Sequence, residues 1–583
     1  MALINKHHDA AVTRSLFDTL RAPFSPLGII TCAIALGVLM PILSLLWLAA
    51  DTDFSHWAHL FEYVLPVAAR NTAILLVGVA VLVTVIGAGC AWLVTLYDFP
   101  GRRILSWALL LPLAMPTYIV AFAWLDLLHP IGPVQTALRA LLGYDSPRQF
   151  RLPDIRSMTG AIILLGIVLY PYVYLTMRAM FISQPAHLLE AARTLGRSAT
   201  GAFLHVALPM ARPALAVGVS LALLETLNDI GASEFLGVNT LTVAIYTTWV
   251  TRSDLPAAAQ IAVLMLMGVM LLLTLEYYGR RRQRYGSSRS QRTVTPIRLS
   301  GVKGMLVFSL TALPVLLGFI APALFLAWES AKRLHQETPL SHGLWLSLQN
   351  SLLLALGVTL TVLITGMIVA WFARHSAIRS QGGGFRRAAL RVASLGYAVP
   401  GTVLAIGLLT PGLAVDKWLA SLLAYQGLPL LSSGMLLVVC CAIRFQTIAI
   451  GATDAGLTRL SPALEQASRL LGENTTGTFF RVHLPLLRPA LVTSALLVFA
   501  DAMKELPATL LLRPVNFETL ATVLYAEAAR GTYEEGAIAA LLIVLAGTLP
   551  VILLAHSQFS TARKPHEPQQ NNTAYQGESS RHV

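Results

Sequence analysis

Residues 191–215 read AARTLGRSATGAFLHVALPMARPAL, and residues 467–491 read ASRLLGENTTGTFFRVHLPLLRPAL. The two stretches align without a gap at an offset of 276, and 14 of their 25 positions are identical. Self-similarity on that scale marks a duplicated architecture. In the first copy, Leu188 to Leu195 mixes apolar and charged residues at helical spacing, which gives a short amphipathic helix. Gly196 then permits a left-handed turn. A second short helix is expected to end near Leu208-Pro209, where the proline forces a break before the next apolar run. An amphipathic helix can lie on lipid headgroups, but two gapless copies with fixed spacing from Gly to Leu-Pro favour a knob presented to a partner.

The surrounding chain is of an unusual composition. Of 583 residues, 56% are hydrophobic and only 12% are charged. Soluble proteins carry about 25% charged residues, so separate soluble domains would lack the charges to cover themselves. Runs near the length needed to cross a bilayer, about 20 apolar residues, fall at 25–50, 71–97, 104–128, 158–181, 211–235, 257–278, 304–328, 348–374, 388–412, 433–452, 487–512 and 536–555. The fold class is therefore all-α: a polytopic membrane protein with 12 expected spans.

The charges that remain report topology. The net charge of +13 does not signal nucleic acid, because Lys and Arg sit in the short segments between apolar runs. The loop after the sixth span carries Arg280, Arg281, Arg282, Arg284, Arg289, Arg292, Arg298 and Lys303, and that after the eighth carries Arg374, Arg379, Arg386, Arg387 and Arg391. The loop after the first holds Asp51, Asp53 and Glu62, with Arg70 at its far end. Even-numbered loops, both repeated motifs and both termini are accordingly placed in the cytoplasm. One loop dissents: Arg139, Arg148, Arg151 and Arg156 follow the third span, on the side this topology puts outside, so either that segment folds externally or a span is misplaced. The N-terminus lacks the pattern of a cleavable signal peptide. The tail from about 557 reads as disordered.

Weaker echoes flank the repeat. Asn71 pairs with Asn350, Pro116 with Pro400, and Thr240-Leu241 with Tyr246 pairs with Thr519-Leu520 with Tyr525. The copies lie six spans apart, an even number, which implies two parallel six-helix repeats about an axis along the membrane normal. Ionisable groups inside spans are costly and face a bundle interior or a water-filled path. The fifth span holds Glu225, Asn228 and Asp229, with Glu234 near its outer end; the eleventh holds Asp501, Lys504 and Glu505. Acids four residues apart share a helix face, and the same offset of 276 relates Glu225 to Asp501 and Asp229 to Glu505. These six residues, 225, 228, 229, 501, 504 and 505, are the candidate translocation path. They can line a route for a cation or brace the bundle, with Lys504 neutralising one acid. Asp126 and Arg444 stand alone near span ends, where snorkelling to the interface is expected.

Other chemistry is not encoded. The four cysteines, Cys32, Cys90, Cys440 and Cys441, read as small buried hydrophobes. The fourteen histidines form no metal pair beyond a weak His7-His8, and no metal site is expected. Gly382-Gly383-Gly384 reads as a flexible linker rather than a phosphate cradle, and no Gly-x-x-x-x-Gly-Lys-Ser/Thr motif is present. No catalytic residue is expected, and no cofactor.

The repeated motif carries a family resemblance. Glu190-Ala191-Ala192, then Gly196, Val206 and Leu208-Pro209, resembles the EAA loop of type I ABC importer permeases, with Val where that family has Ile. In the second copy Gly472 and Leu484-Pro485 align, Gln466 falls at the family's Glu position, and Glu465 stands one residue earlier. The resemblance implies a first permease domain at 67–278 and a second at 345–556. Residues 1–66 would add an N-terminal cytoplasmic segment, the first span and an external loop; 279–344 a linker, the seventh span and an external loop; 557–583 a cytoplasmic tail. It further implies two copies of a cytoplasmic ATPase carrying ATP and Mg, an external substrate-binding protein, and residence in a bacterial inner membrane. Segment 224–249 resembles the ferric-iron transport permeases, which are commonly fused in this way; thiamine and aminoethylphosphonate permeases share the fused plan. An ion-gradient-driven secondary transporter, using the paired acids as ion sites, is the alternative of another class.

Overall fold

The computed structural model describes residues 25–51, 57–58, 60–184, 186–280, 296–335, 342–378, 383–424 and 426–560. His7-His8, Asp53, Arg379, Gly382, the arginines from 281 to 292 and the tail beyond 560 lie outside these. Among the described residues ten helices are long and apolar enough to cross a membrane, or up to 12 if each of two bent pairs is one span. The strands among the described residues are Tyr97–Asp98 and Ile297–Arg298, which pair in parallel and tie the linker to the loop after the second span.

Burial follows the logic of a lipid solvent. Along helix Leu65–Leu96, Leu75, Val79 and Val83 are buried, while Val77, Val81 and Val85 are exposed. Both faces are apolar, so packing rather than polarity decides which one turns inward. Small residues permit that packing. Gly407 in the ninth span lies against the first span so closely that a Cβ there would stand 2.2 Å from the Pro41 carbonyl oxygen. The helix Pro26–Ala50 thus docks on Gly401–Leu422 in the opposite half. The seventh span, Gly301–His335, packs against first-half helices and against Tyr533–Ser560, and Trp124 Nε1 donates to the Leu317 carbonyl at 3.1 Å. Each leading helix therefore clasps a partner across the boundary between halves.

The repeat is visible in individual bonds. Asn71 Nδ2 donates to the Asn239 carbonyl at 3.1 Å, and Asn350 Nδ2 donates to the Glu518 carbonyl at 2.9 Å. Beside them the Leu241 N–H donates to Thr72 Oγ1 at 3.0 Å, and the Leu520 N–H to Ser351 Oγ at 2.8 Å. In both halves a polar residue at the start of a long span satisfies the loop before a short helix.

Several expected spans change shape. The third is not straight: Arg102–Ala114 and Thr117–Leu127 meet at 93° across Met115-Pro116, because Pro116 cannot donate the N–H that would continue the first helix. The matching ninth span begins after Pro400 and runs Gly401–Leu422, later than expected. Gly383 and Gly384 open a helix, Gly383–Ala393, instead of forming a linker. The fifth span ends at Asn228 and the eleventh at Met503, each followed by a break and a short helix, Gly231–Phe235 and Pro507–Leu512. The Arg-bearing segment 129–157 is folded: helix Pro133–Leu142 buries Arg139 and Gln135, and Gln135 bonds the Leu128 carbonyl and the Leu152 N–H.

Candidate functional site

The broken spans meet around a cavity of about 110 Å³ lined by residues of both halves. The breaks decide where the acids point. Asp229 is not on the helix face of Glu225; it follows the last helical residue, Asn228, and its Oδ1 accepts the Ala232 N–H at 3.0 Å. Its other oxygen accepts the Thr117 hydroxyl at 3.2 Å. Glu505 repeats this in the second half, with Oε1 accepting the Ala508 N–H at 3.1 Å. Each therefore satisfies a backbone donor freed by a helix start inside the membrane.

Arg444 is the residue that the sequence reading misplaced. It does not snorkel: its side chain is 8% exposed, its Nη1 pairs with Glu505 Oε2, and its Nη2 lies 4.0 Å from Glu225 Oε2 in the opposite half. A buried guanidinium needs such partners, since an unpaired charge there is very costly. Gly401 makes room, for a Cβ there would stand 2.9 Å from Glu505 Oε1 and 3.0 Å from Arg444 Nη1. Tyr397 donates its hydroxyl to Glu225 Oε1 at 3.2 Å, the Gly401 N–H donates to Asn228 Oδ1 at 2.8 Å, and Tyr118 donates to the Lys504 carbonyl at 3.3 Å. All three bonds cross between halves. Lys504 Nζ lies 2.9 Å from Asp501 Oδ1. Asp126 occupies the last turn of Thr117–Leu127. Farther along the chain, Tyr525 donates to Glu234 across the same boundary.

The repeated loops form a second, separate surface. Helix Ala186–Thr194 ends at Gly196 with φ +83, and helix Pro462–Leu470 ends before Gly472 with φ +86. Both ends close by the same pair of bonds: Gly196 N–H to Arg193 and Arg197 N–H to Ala192 in one, Gly472 N–H to Arg469 and Glu473 N–H to Ser468 in the other. Only glycine takes this left-handed position freely. The apolar tips face outward, with Leu195 84%, Leu470 88% and Leu471 85% exposed. Glu190 and Ala191 are exposed in the first loop and Gln466 in the second. Glu465 is buried, paired with Arg374 Nε at 3.0 Å and 3.2 Å from His483 Nε2. The exposed partner of Glu190 is thus Gln466, and Glu465 serves the loop's own anchorage.

An aromatic clasp seats each loop on its half. Trp92 lies 5.0 Å from Phe203, centroid to centroid, and Trp371 lies 4.3 Å from Phe479. The prolines sit in continuous helix: each follows a π turn, Phe203–Ala207 before Pro209 and Phe479–His483 before Pro485. The expected break comes in one copy. The first half bends by 76° at Ala211, just beyond Leu208–Met210, whereas in the second half Thr475–Met503 continues as one span.

Residues 83–285 and 363–560 each match the family described as "Binding-protein-dependent transport system inner membrane component". The chain belongs to that family. It is a type I ABC importer permease with two fused permease repeats, a transport subunit rather than an enzyme. This permease is 26% identical over 549 residues to the Fe(3+)-transport system permease protein FbpB 2 of Haemophilus influenzae, covering 92% of this chain and 99% of that one. It is 28% identical over 253 residues to the sulfate transport system permease protein CysT of Salmonella typhimurium, covering 42% of this chain and 88% of that one. A putative 2-aminoethylphosphonate transport system permease protein, PhnU of Salmonella paratyphi A, is 29% identical over 182 residues, covering 31% and 62%. The permease's central charged cluster draws on Arg444, Tyr397, Tyr118 and Thr117 beyond the candidates named from sequence. The signal was available for Arg444: it stands in the interior of an apolar run, at position 444 of 435–458, with no acid nearby before Asp454.

Proposed function

We propose that this permease imports ferric iron, with the cavity between its halves as the translocation path and the two exposed helix–glycine–helix loops as docking points for two copies of a cytoplasmic ATPase. The observation that carries the coupling role is the repeated exposed tip, held by a left-handed glycine and an aromatic clasp on each half. Glu190, Ala191, Gly196, Leu208 and Pro209 form the first loop, and Glu465, Gln466, Gly472, Leu484 and Pro485 the second. ATP and Mg belong to the partner ATPase, and a substrate-binding protein delivers cargo from outside. The permease domains are 67–278 and 345–556, and both termini face the cytoplasm. Closure of the ATPase pair drives the loops together and rocks the halves, exposing the cavity to each side in turn.

Ferric iron is favoured by a relative whose similarity covers 92% of the chain and by four carboxylates against two cationic side chains around the cavity. The experiment is uptake by proteoliposomes holding the permease with its ATPase and binding protein, offered radiolabelled ferric ion or sulfate. Ferric uptake that needs ATP supports the reading; ATP-driven sulfate uptake without ferric uptake reassigns the cargo.

A further inference from the structure

The acids around the cavity divide into two kinds. Asp229 and Glu505 each commit one oxygen to a backbone N–H; the other accepts the Thr117 hydroxyl in Asp229 and holds Arg444 in Glu505, whose side chain is only 4% exposed. Glu225 and Asp501, related by the offset of 276 and contributed one by each half, are 26% and 27% exposed, and both line the cavity. Their partners are side chains on pivots. Arg444 is anchored at Glu505 and reaches Glu225 at 4.0 Å, beyond ordinary hydrogen-bond length. Lys504, itself 28% exposed, holds Asp501 from three residues away.

We propose that Glu225 and Asp501 are the cargo-facing pair of the path, and that Arg444 and Lys504 are its tethered counter-ions. The counter-ions neutralise the pair while the path is empty and yield it to a positively charged cargo. Two uncompensated carboxylates inside a membrane are costly, so an empty cationic path needs a resident cation. A tethered one swings aside by rotamer change and returns when the cargo leaves. The carboxylates, with Tyr172 and Tyr397 beside them, offer oxygen donors that suit a hard cation. Asp229 and Glu505 instead hold the broken helices in shape.

This division rests on the importer reading, and the test separates the two. Glu225→Gln, Asp501→Asn, Asp229→Asn, Glu505→Gln and the pair Arg444→Gln with Glu505→Gln are each reconstituted with ATPase and binding protein. Melting temperature of the detergent-solubilised permease and ATP-driven uptake of ferric ion are measured together. The expected result is that E225Q and D501N keep the wild-type melting temperature and lose uptake by more than about tenfold. D229N and E505Q are expected to lower the melting temperature. The paired variant, which removes Arg444 together with its buried partner Glu505 and frees Glu225 of its counter-ion, is expected to fold and to leak ferric ion without ATP. Normal uptake by both E225Q and D501N overturns the proposal, as does a folded paired variant that transports normally and does not leak. The importer reading fails separately, if the wild-type permease takes up ferric ion equally well without ATP.

Discussion

Glu465 and Gln466 stand side by side in sequence, yet one faces Arg374 and the other faces outward. The structure separates an anchoring role from a docking role at the scale of one residue. Glu465→Gln is expected to destabilise the permease by about 3–5 kcal/mol, because it removes the only carboxylate paired with the largely buried Arg374 guanidinium among the described residues, leaving it the Leu460 carbonyl. Gln466→Ala is expected to leave stability unchanged and to weaken ATPase binding; thermal melts and co-purification with the ATPase check both. Arg444 shows the limit of single-residue reading. Its partners are far away in sequence: Glu225 comes from a helix of the other half and Glu505 from the break after Met503. An isolated charge in an apolar run signals a partner without naming it.

The helices were legible where apolar runs were uninterrupted, as in Pro26–Ala50 and Met158–Ser183. They were misread where a span breaks inside the membrane. Pro116 and Pro400 form a repeated pair in sequence, but hydropathy counts residues and does not register a change of direction, so it does not reveal the 93° bend. The ends at Asn228 and Met503 were missed for a related reason: the residues beyond them are still apolar enough to continue the run. The loop glycines are clearer, since sequence spacing and the left-handed turn agree. Gly196→Val and Gly472→Val should each strain the turn by about 1–2 kcal/mol and reduce uptake more than ATP hydrolysis, read by assaying both in one preparation. Equal loss of both activities would count against a coupling role. At the packing between first and ninth spans, Gly407→Val drives a side chain into the Pro41 carbonyl. A loss of about 1–3 kcal/mol is expected from overpacking, seen as a lower melting temperature without altered cargo preference.

The whole molecule is a duplicated bundle whose halves exchange their leading helices and share one charged cluster. Duplication, span number and helical class could be read from sequence, because a 276-residue offset and lipid-length runs survive divergence. The contact surface between halves could not, because it is made by bonds such as Tyr397 to Glu225 that no local pattern encodes. We propose that energy enters through the two repeated loops and leaves as cargo movement through that shared cluster. The most direct test is uptake of radiolabelled ferric ion into proteoliposomes containing binding protein and permease, with and without the ATPase and ATP. Uptake that requires both ATPase and ATP, and falls in Gly196→Val and Gly472→Val alike, is the predicted result. Uptake driven by an imposed ion gradient in the absence of the ATPase would overturn this coupling and make the protein a secondary transporter.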